Sequence, residues 1–270
     1  MPSQTIDEVI AELEGIIQQC IDTDNRAGYF AALYHRVTCR IKDGIANNEF
    51  EDGIRMERLD VLFANRYIDA WKQWCAGQQP TASWRIAFEA AQNKGIIMQH
   101  LLLGINAHIN LDLGIATTET MYGYPITGIQ KDFNTINAVL ASLISVVEQE
   151  IFKLSPLMFL LDTVGKSFDE MLVEFSINTA REGAWQFAVE LSGKTGAAYT
   201  TCISVRDAAI ANLATNLAKP KGKFFAFIIK VIGWFEWKQP AKCIETLRYV
   251  AKKAAENIAP PATITKAVTS

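Results

Sequence analysis

LLLGINAHINLDLGIA, residues Leu101 to Ala116, decides how the rest of the chain is read. Apolar residues recur along it at helical spacing, yet Asn106, His108, Asn110 and Asp112 stand among them, where a core helix should carry no polar side chain. Burying such groups without hydrogen-bonded or metal partners costs several kcal/mol, so they must satisfy one another, find partners on neighbouring helices, or face a lined cavity. At about 100° per residue, Leu101, Ile105, His108, Asp112 and Ile115 share one stripe. His108 and Asp112 therefore point the same way, at a spacing that lets two helix side chains share a proton or hold an ion. Asn106 and Asn110 repeat that spacing roughly half a turn away, so the helix needs polar partners on two sides. These features predict a buried central helix around residues 97–116.

Working outward, every well-defined segment has helical periodicity and none alternates with period two, so the expected fold is all-α, a multi-helix bundle. Thr5 with Glu8 predicts a capped first helix ending near Asp22. Further helices are expected over about Arg26 to Ala46, Gly53 to Ala76, Ser83 to Gln92, Thr127 to Phe152, Val164 to Leu191, Ala197 to Leu217 and Ala241 to Asn257. The break at Lys219-Pro220-Lys221-Gly222 divides a helical domain, 1–218, from a C-terminal helical extension, 219–258, with a Pro- and Thr-rich tail, 259–270, expected to be disordered.

Composition removes some function classes. The 26 Lys and Arg stand against 29 Asp and Glu, for a net charge of -3, and form no basic face, so no nucleic-acid partner is expected. Cys20, Cys39, Cys75, Cys202 and Cys243 are too scattered for a zinc knuckle or a redox pair and are expected to be free thiols. The start of the chain has acids where a secretion signal carries bases, which points to the cytoplasm. No run reaches the roughly 18–20 apolar residues of a transmembrane segment.

Four motifs, RLDVLFANRYIDAW (Arg58 to Trp71), GINAHINLDL (Gly104 to Leu113), DFNTIN (Asp132 to Asn137) and REGAW (Arg181 to Trp185), resemble those of an uncharacterised bacterial domain-of-unknown-function family over roughly Ala27 to Leu217. The resemblance implies a single all-helical domain and no particular activity. By the same resemblance, the segment after Lys219 is longer than the usual member's C-terminus.

Candidate sites therefore rest on side-chain chemistry, and three alternatives stay open. A metal-dependent, hydrolase-like enzyme would gather His108, Asp112, Asp132, and Asp69 or Glu182 around a divalent metal, as facing helices of bundles do. A second Glu-x-x-His or His-x-x-x-His motif is missing from the sequence. A structural network would join Asn106, His108, Asn110, Asp112 and Arg66, with Asp112 fixing the His108 tautomer. A binding module would use Asn65, Arg66, Asn106, Asn110, Asn137, Arg181 and Trp185 to line a pocket for a small-molecule or lipid-like ligand beneath the Tyr122 to Tyr124 loop.

The aromatic stretch KFFAFIIKVIGWFEW, 223–237, is expected to pack into the core or to form a homo-oligomer contact, since so large an apolar patch is costly in water. Its interspersed lysines also fit a helix lying in a membrane interface, giving a peripheral membrane-associated protein as a further alternative.

Overall fold

Local sequence chemistry fixes where the first helices begin. Thr5 Oγ1 accepts from the Glu8 N–H at 3.2 Å and starts α1 (Ile6–Asp22), while the Glu8 carboxylate accepts from the Gln4 N–H at 2.7 Å. Asp52 plays the same part for α3 (Gly53–Cys75), accepting from the Arg55 N–H at 3.0 Å. Between them lies α2 (Gly28–Ala46). The computed structural model describes residues 1–164, 177–219 and 222–257, and among these all regular structure is helical.

The chain continues through α4 (Ala82–Ala91) and α5 (Ile97–Ala107), a π-helical turn (His108–Asp112) and α6 (Leu113–Thr120). A 3-10 turn (Ile126–Ile129) leads into α7 (Gln130–Leu154), and a second (Met158–Val164) follows it. The last four helices are α8 (Ile177–Ser192), α9 (Gly196–Ala218), α10 (Lys223–Phe235) and α11 (Pro240–Asn257). The first part of the helix expected over Val164 to Leu191 and the tail expected after 258 lie outside the described residues.

The central segment is buried as expected, but it is not one uninterrupted α-helix. The Leu113 N–H bonds to the His108 carbonyl, an i to i+5 link, so the polar residues sit on a widened turn. The Asn110 carbonyl accepts from Arg206 Nε of α9 at 3.0 Å instead of serving only its own helix. Two glycines let neighbours close in on this segment. A Cβ at Gly104 would lie 2.4 Å from Phe30 of α2, and one at Gly114 would lie 2.5 Å from Phe187 of α8.

The main core joins Val9, Leu13 and Ile17 of α1 to Phe30, Tyr67, Trp71, Trp84, Leu101 and Leu103. Ile228 and Ile232 of α10 and Ile244 and Leu247 of α11 belong to the same cluster. Polar links reinforce that attachment. The buried Glu236 carboxylate accepts from the Ile97 N–H at 3.1 and 3.2 Å and so caps the central helix from the far end of the chain. Arg36 of α2 donates to the Leu247 carbonyl at 3.3 Å.

Packing accounts for only one face of residues 223–237. Phe224, Phe227, Trp234, Phe235 and Trp237 are all exposed, so of the two expected placements, core or homo-oligomer contact, the core takes up only one face of the helix.

Candidate functional site

The π turn places His108 and Asp112 so that His108 Nδ1–H donates to Asp112 Oδ2 at 3.2 Å. The same oxygen accepts from Trp84 Nε1 of α4 at 2.7 Å, and Asp112 Oδ1 accepts from Arg66 Nε of α3 at 2.9 Å. Three side-chain donors from three elements thus converge on one carboxylate that is 1 % exposed. Burial works to raise the Asp112 carboxyl, but the Arg66 guanidinium and the bonds from His108 and Trp84 outweigh it and hold the group below its ordinary value. Burial lowers His108, which stays a neutral imidazole despite its carboxylate partner. Its Nδ1 carries the proton because a carboxylate can only accept.

His108 is walled in by rings. Phe63 stacks on it at 3.5 Å with an 8° interplanar angle, and Tyr34 stands edge-on at 4.3 Å. Its Nε2 is buried with no hydrogen-bond partner among the described residues. His108 lines neither of the two larger depressions among the described residues, whereas Asp112 borders one of them.

The other expected pair also forms. Asn110 Nδ2 donates to Asn106 Oδ1 at 3.0 Å, and Asn106 Nδ2 donates to the Ile210 carbonyl of α9 at 3.1 Å. This second set ties the π turn to α9 on the side away from Arg66 and lines none of the groove described below.

The five residues considered for a metal do not gather. Asp132 is spent elsewhere, accepting from the Glu51 N–H at 2.6 Å, the Asp52 N–H at 3.3 Å and Arg55 Nη2 at 2.6 Å. Glu182 is exposed on α8 and Asp69 is exposed on α3. Among the described residues no three or more His, Cys, Asp or Glu side chains are grouped closely enough to hold a metal ion. Arg181 and Trp185 belong to yet another cluster. The Arg181 guanidinium lies 4.6 Å over the Phe133 ring and donates to the Phe133 carbonyl, and Trp185 packs on the same ring at 5.1 Å. Burial lowers Arg181 to about 10. Asn137 stands on α7, and its side chain lies outside what the structure describes.

Arg66 and Asp112 reach an open groove of about 650 Å³ that runs along α3. Its walls include Asn65, Asp69, Glu57, Arg58, Trp84 and Glu119, and residues 2–4 close one side. Asn65 holds that side by a two-way bond, accepting from the Ser3 N–H at 3.0 Å and donating to the Ser3 carbonyl at 2.8 Å. The groove is not beneath the tyrosine loop, because Tyr122 and Tyr124 are exposed and neither lines it. A larger depression of about 1070 Å³ between α1 and α3 shares residues 2–4 but touches none of the His108–Asp112 network.

Several residues that shape the site carry no sequence signal of it. Trp84 is the clearest, since an indole N–H must find an acceptor when buried but its partner is 28 residues away. Asp207 of α9 is another, accepting from the Ala82 and Ser83 N–H groups at 2.7 and 3.0 Å and so fixing the start of the helix that carries Trp84.

No curated protein and no solved structure matches the chain. A family model described only as a family of unknown function matches residues 6–220, which takes in α3, the π turn, α8 and all four of the motifs above. The chain belongs to this family of unknown function, DUF5995.

Proposed function

We propose that the protein is a small-molecule binding module whose ligand sits in the α3 groove, anchored by Arg66, with the buried Asp112, His108 and Trp84 serving as the support that holds the guanidinium in place. The observation that carries this reading is the division of labour within Arg66. Its Nε is committed to a sealed carboxylate, while neither Nη has a protein acceptor among the described residues and the side chain is 25 % exposed at the groove. A guanidinium fixed at one edge offers the other as a rigid two-pronged donor, which suits a planar acceptor such as a carboxylate.

The charges of the walls narrow the ligand class. Glu57, Asp69, Asp112 and Glu119 line the groove against Arg58 and Arg66, four carboxylates to two guanidinium groups. A ligand with an acceptor for Arg66 and a cationic group for Asp69 meets both needs, so a small zwitterion fits better than a simple anion.

The test is thermal stability with increasing concentrations of glycine betaine, L-lysine, putrescine and citrate as probes. Zwitterions are expected to raise the melting temperature progressively with the logarithm of their concentration, the added stability reaching about 2.7 kcal/mol at about 100 times the Kd. Citrate is expected to have no such effect. Arg66→Met should abolish the response and Asp69→Asn should weaken it. A response that survives Arg66→Met, or none to any zwitterion, removes the proposal.

A further inference from the structure

We infer that α10 and the residues just after it form a docking surface for an anionic lipid membrane, on which the helix lies flat. This inference is independent of the groove. At about 100° per residue, Phe224, Phe227, Trp234 and Phe235 fall within an arc of about 100°. All four are between 54 and 63 % exposed, and Trp237 beyond the helix is 47 % exposed. The adjoining side of the same helix, next to Phe235 on the helical wheel, is seated on the body of the protein through Ile228 and Ile232, which are buried in the main core. Two further ties hold its end, the Glu236 carboxylate on the Ile97 N–H and the Trp237 N–H on the Leu154 carbonyl at 3.1 Å. The aromatic row is thus presented outward by a fixed helix.

Charge identifies what covers it. Between residues 222 and 238 the exposed charged side chains are Lys223, Lys230 and Lys238, while the one acid, Glu236, is turned inward and used as a cap. Lys223 and Lys230 lie together along one edge of the aromatic arc, and Lys230 Nζ lies 5.7 Å from the Trp234 ring. Aromatic rings at the boundary of the acyl region with lysines beside them at headgroup level is the arrangement an interfacial helix needs. Within residues 222–238 the face has no exposed acid to pair with the lysines of a second copy, which favours an anionic partner over self-association.

The helix has 13 residues, about 20 Å at 1.5 Å per residue, and no helix among the described residues is long and apolar enough to cross a membrane. Docking is therefore in the plane of the surface. Because the family match ends at residue 220, the surface is built from chain beyond it.

Flotation of the full chain with vesicles of phosphatidylcholine alone, or of phosphatidylcholine with phosphatidylserine, tests this directly. Flotation with the serine-containing vesicles only, reduced by salt and accompanied by a blue shift of tryptophan emission, is expected. Trp234→Ser with Phe235→Ser should reduce the floated fraction at least several-fold, and so should Lys223→Glu with Lys230→Glu. Both pairs alter exposed side chains, and an unchanged melting temperature verifies that each variant is folded. Failure to float with either vesicle, or equal flotation with both, overturns the inference. A concentration-dependent dimer dissolved by the serine pair, without flotation, overturns it in favour of a second copy of the chain.

Discussion

Asp112 on the π turn and Asp132 on the first turn of α7 are sealed to the same degree, at 1 % and 0 % exposure, and each holds an arginine from α3. They differ in their other donors. Asp132 accepts from two backbone N–H groups, those of Glu51 and Asp52, so its carboxylate pins the loop that leads into α3. Asp112 accepts only from side chains, and what it pins is the pose of Arg66, Trp84 and His108. A buried carboxylate bonded to main chain fixes a backbone path, whereas one bonded to side chains fixes their rotamers. Asp60 supplies a third case, because it is 4 % exposed and its Oδ2 has no hydrogen-bond partner among the described residues. Burial, with Glu57 nearby, raises its carboxyl to about 7.

The contrast is broken most severely at Asp112. Asp112→Ala leaves three donors without an acceptor inside the protein and is expected to cost about 3–5 kcal/mol in urea unfolding. Asp132→Ala should cost less, about 2–3 kcal/mol, because Arg55 keeps the Glu51 and Asp52 carboxylates within reach. It should also leave the response to zwitterionic probes at the groove intact. If Asp132→Ala proves the more damaging, or removes probe binding, the distinction between the two carboxylates fails.

Asp60 sharpens the comparison from the other side. Its folded pKa lies above the unfolded value of about 3.9, so the folded state resists ionisation. The penalty is absent below about pH 3.9, grows as the pH rises, and is complete above about 7. Asp60→Asn is therefore expected to stabilise the protein by about 1–2 kcal/mol at pH 8 and to confer no gain near pH 4. Unfolding curves at the two pH values check this, and a variant equally stable or less stable at pH 8 would show that the carboxylate has a partner after all.

Much of this was legible in the residues themselves. The cap at Thr5, the helical periodicity and the polar residues inside LLLGINAHINLDLGIA each reflect local energetics, and the helices and the His108–Asp112 and Asn106–Asn110 contacts follow them. The partner of Arg66 was within reach of the same reasoning, since a guanidinium on an apolar stripe must find an acceptor. The π turn was not legible, because an inserted residue shifts the register by one without altering composition.

Sequence alone also could not sort the polar residues into sites. Asp132 and Glu182 have the same chemistry as Asp112, but one reaches the Glu51 and Asp52 amides some 80 residues away and the other faces solvent. Nor could it tell which apolar side chains of 223–237 are covered, since Ile228 and Ile232 meet the body while the equally apolar Phe224 and Phe235 do not.

The sequence by itself determined an all-helical fold, the capped start of α1 at Thr5, and the fact that a buried turn must satisfy four polar side chains, because propensity, capping and desolvation act within a few residues. Only the tertiary structure decided that Asp112 collects Arg66 and Trp84, that the groove follows α3, and that an aromatic row faces outward on α10. Those outcomes depend on pairing groups tens of residues apart, and the packing that selects among equivalent carboxylates and rings exists only once the helices have assembled.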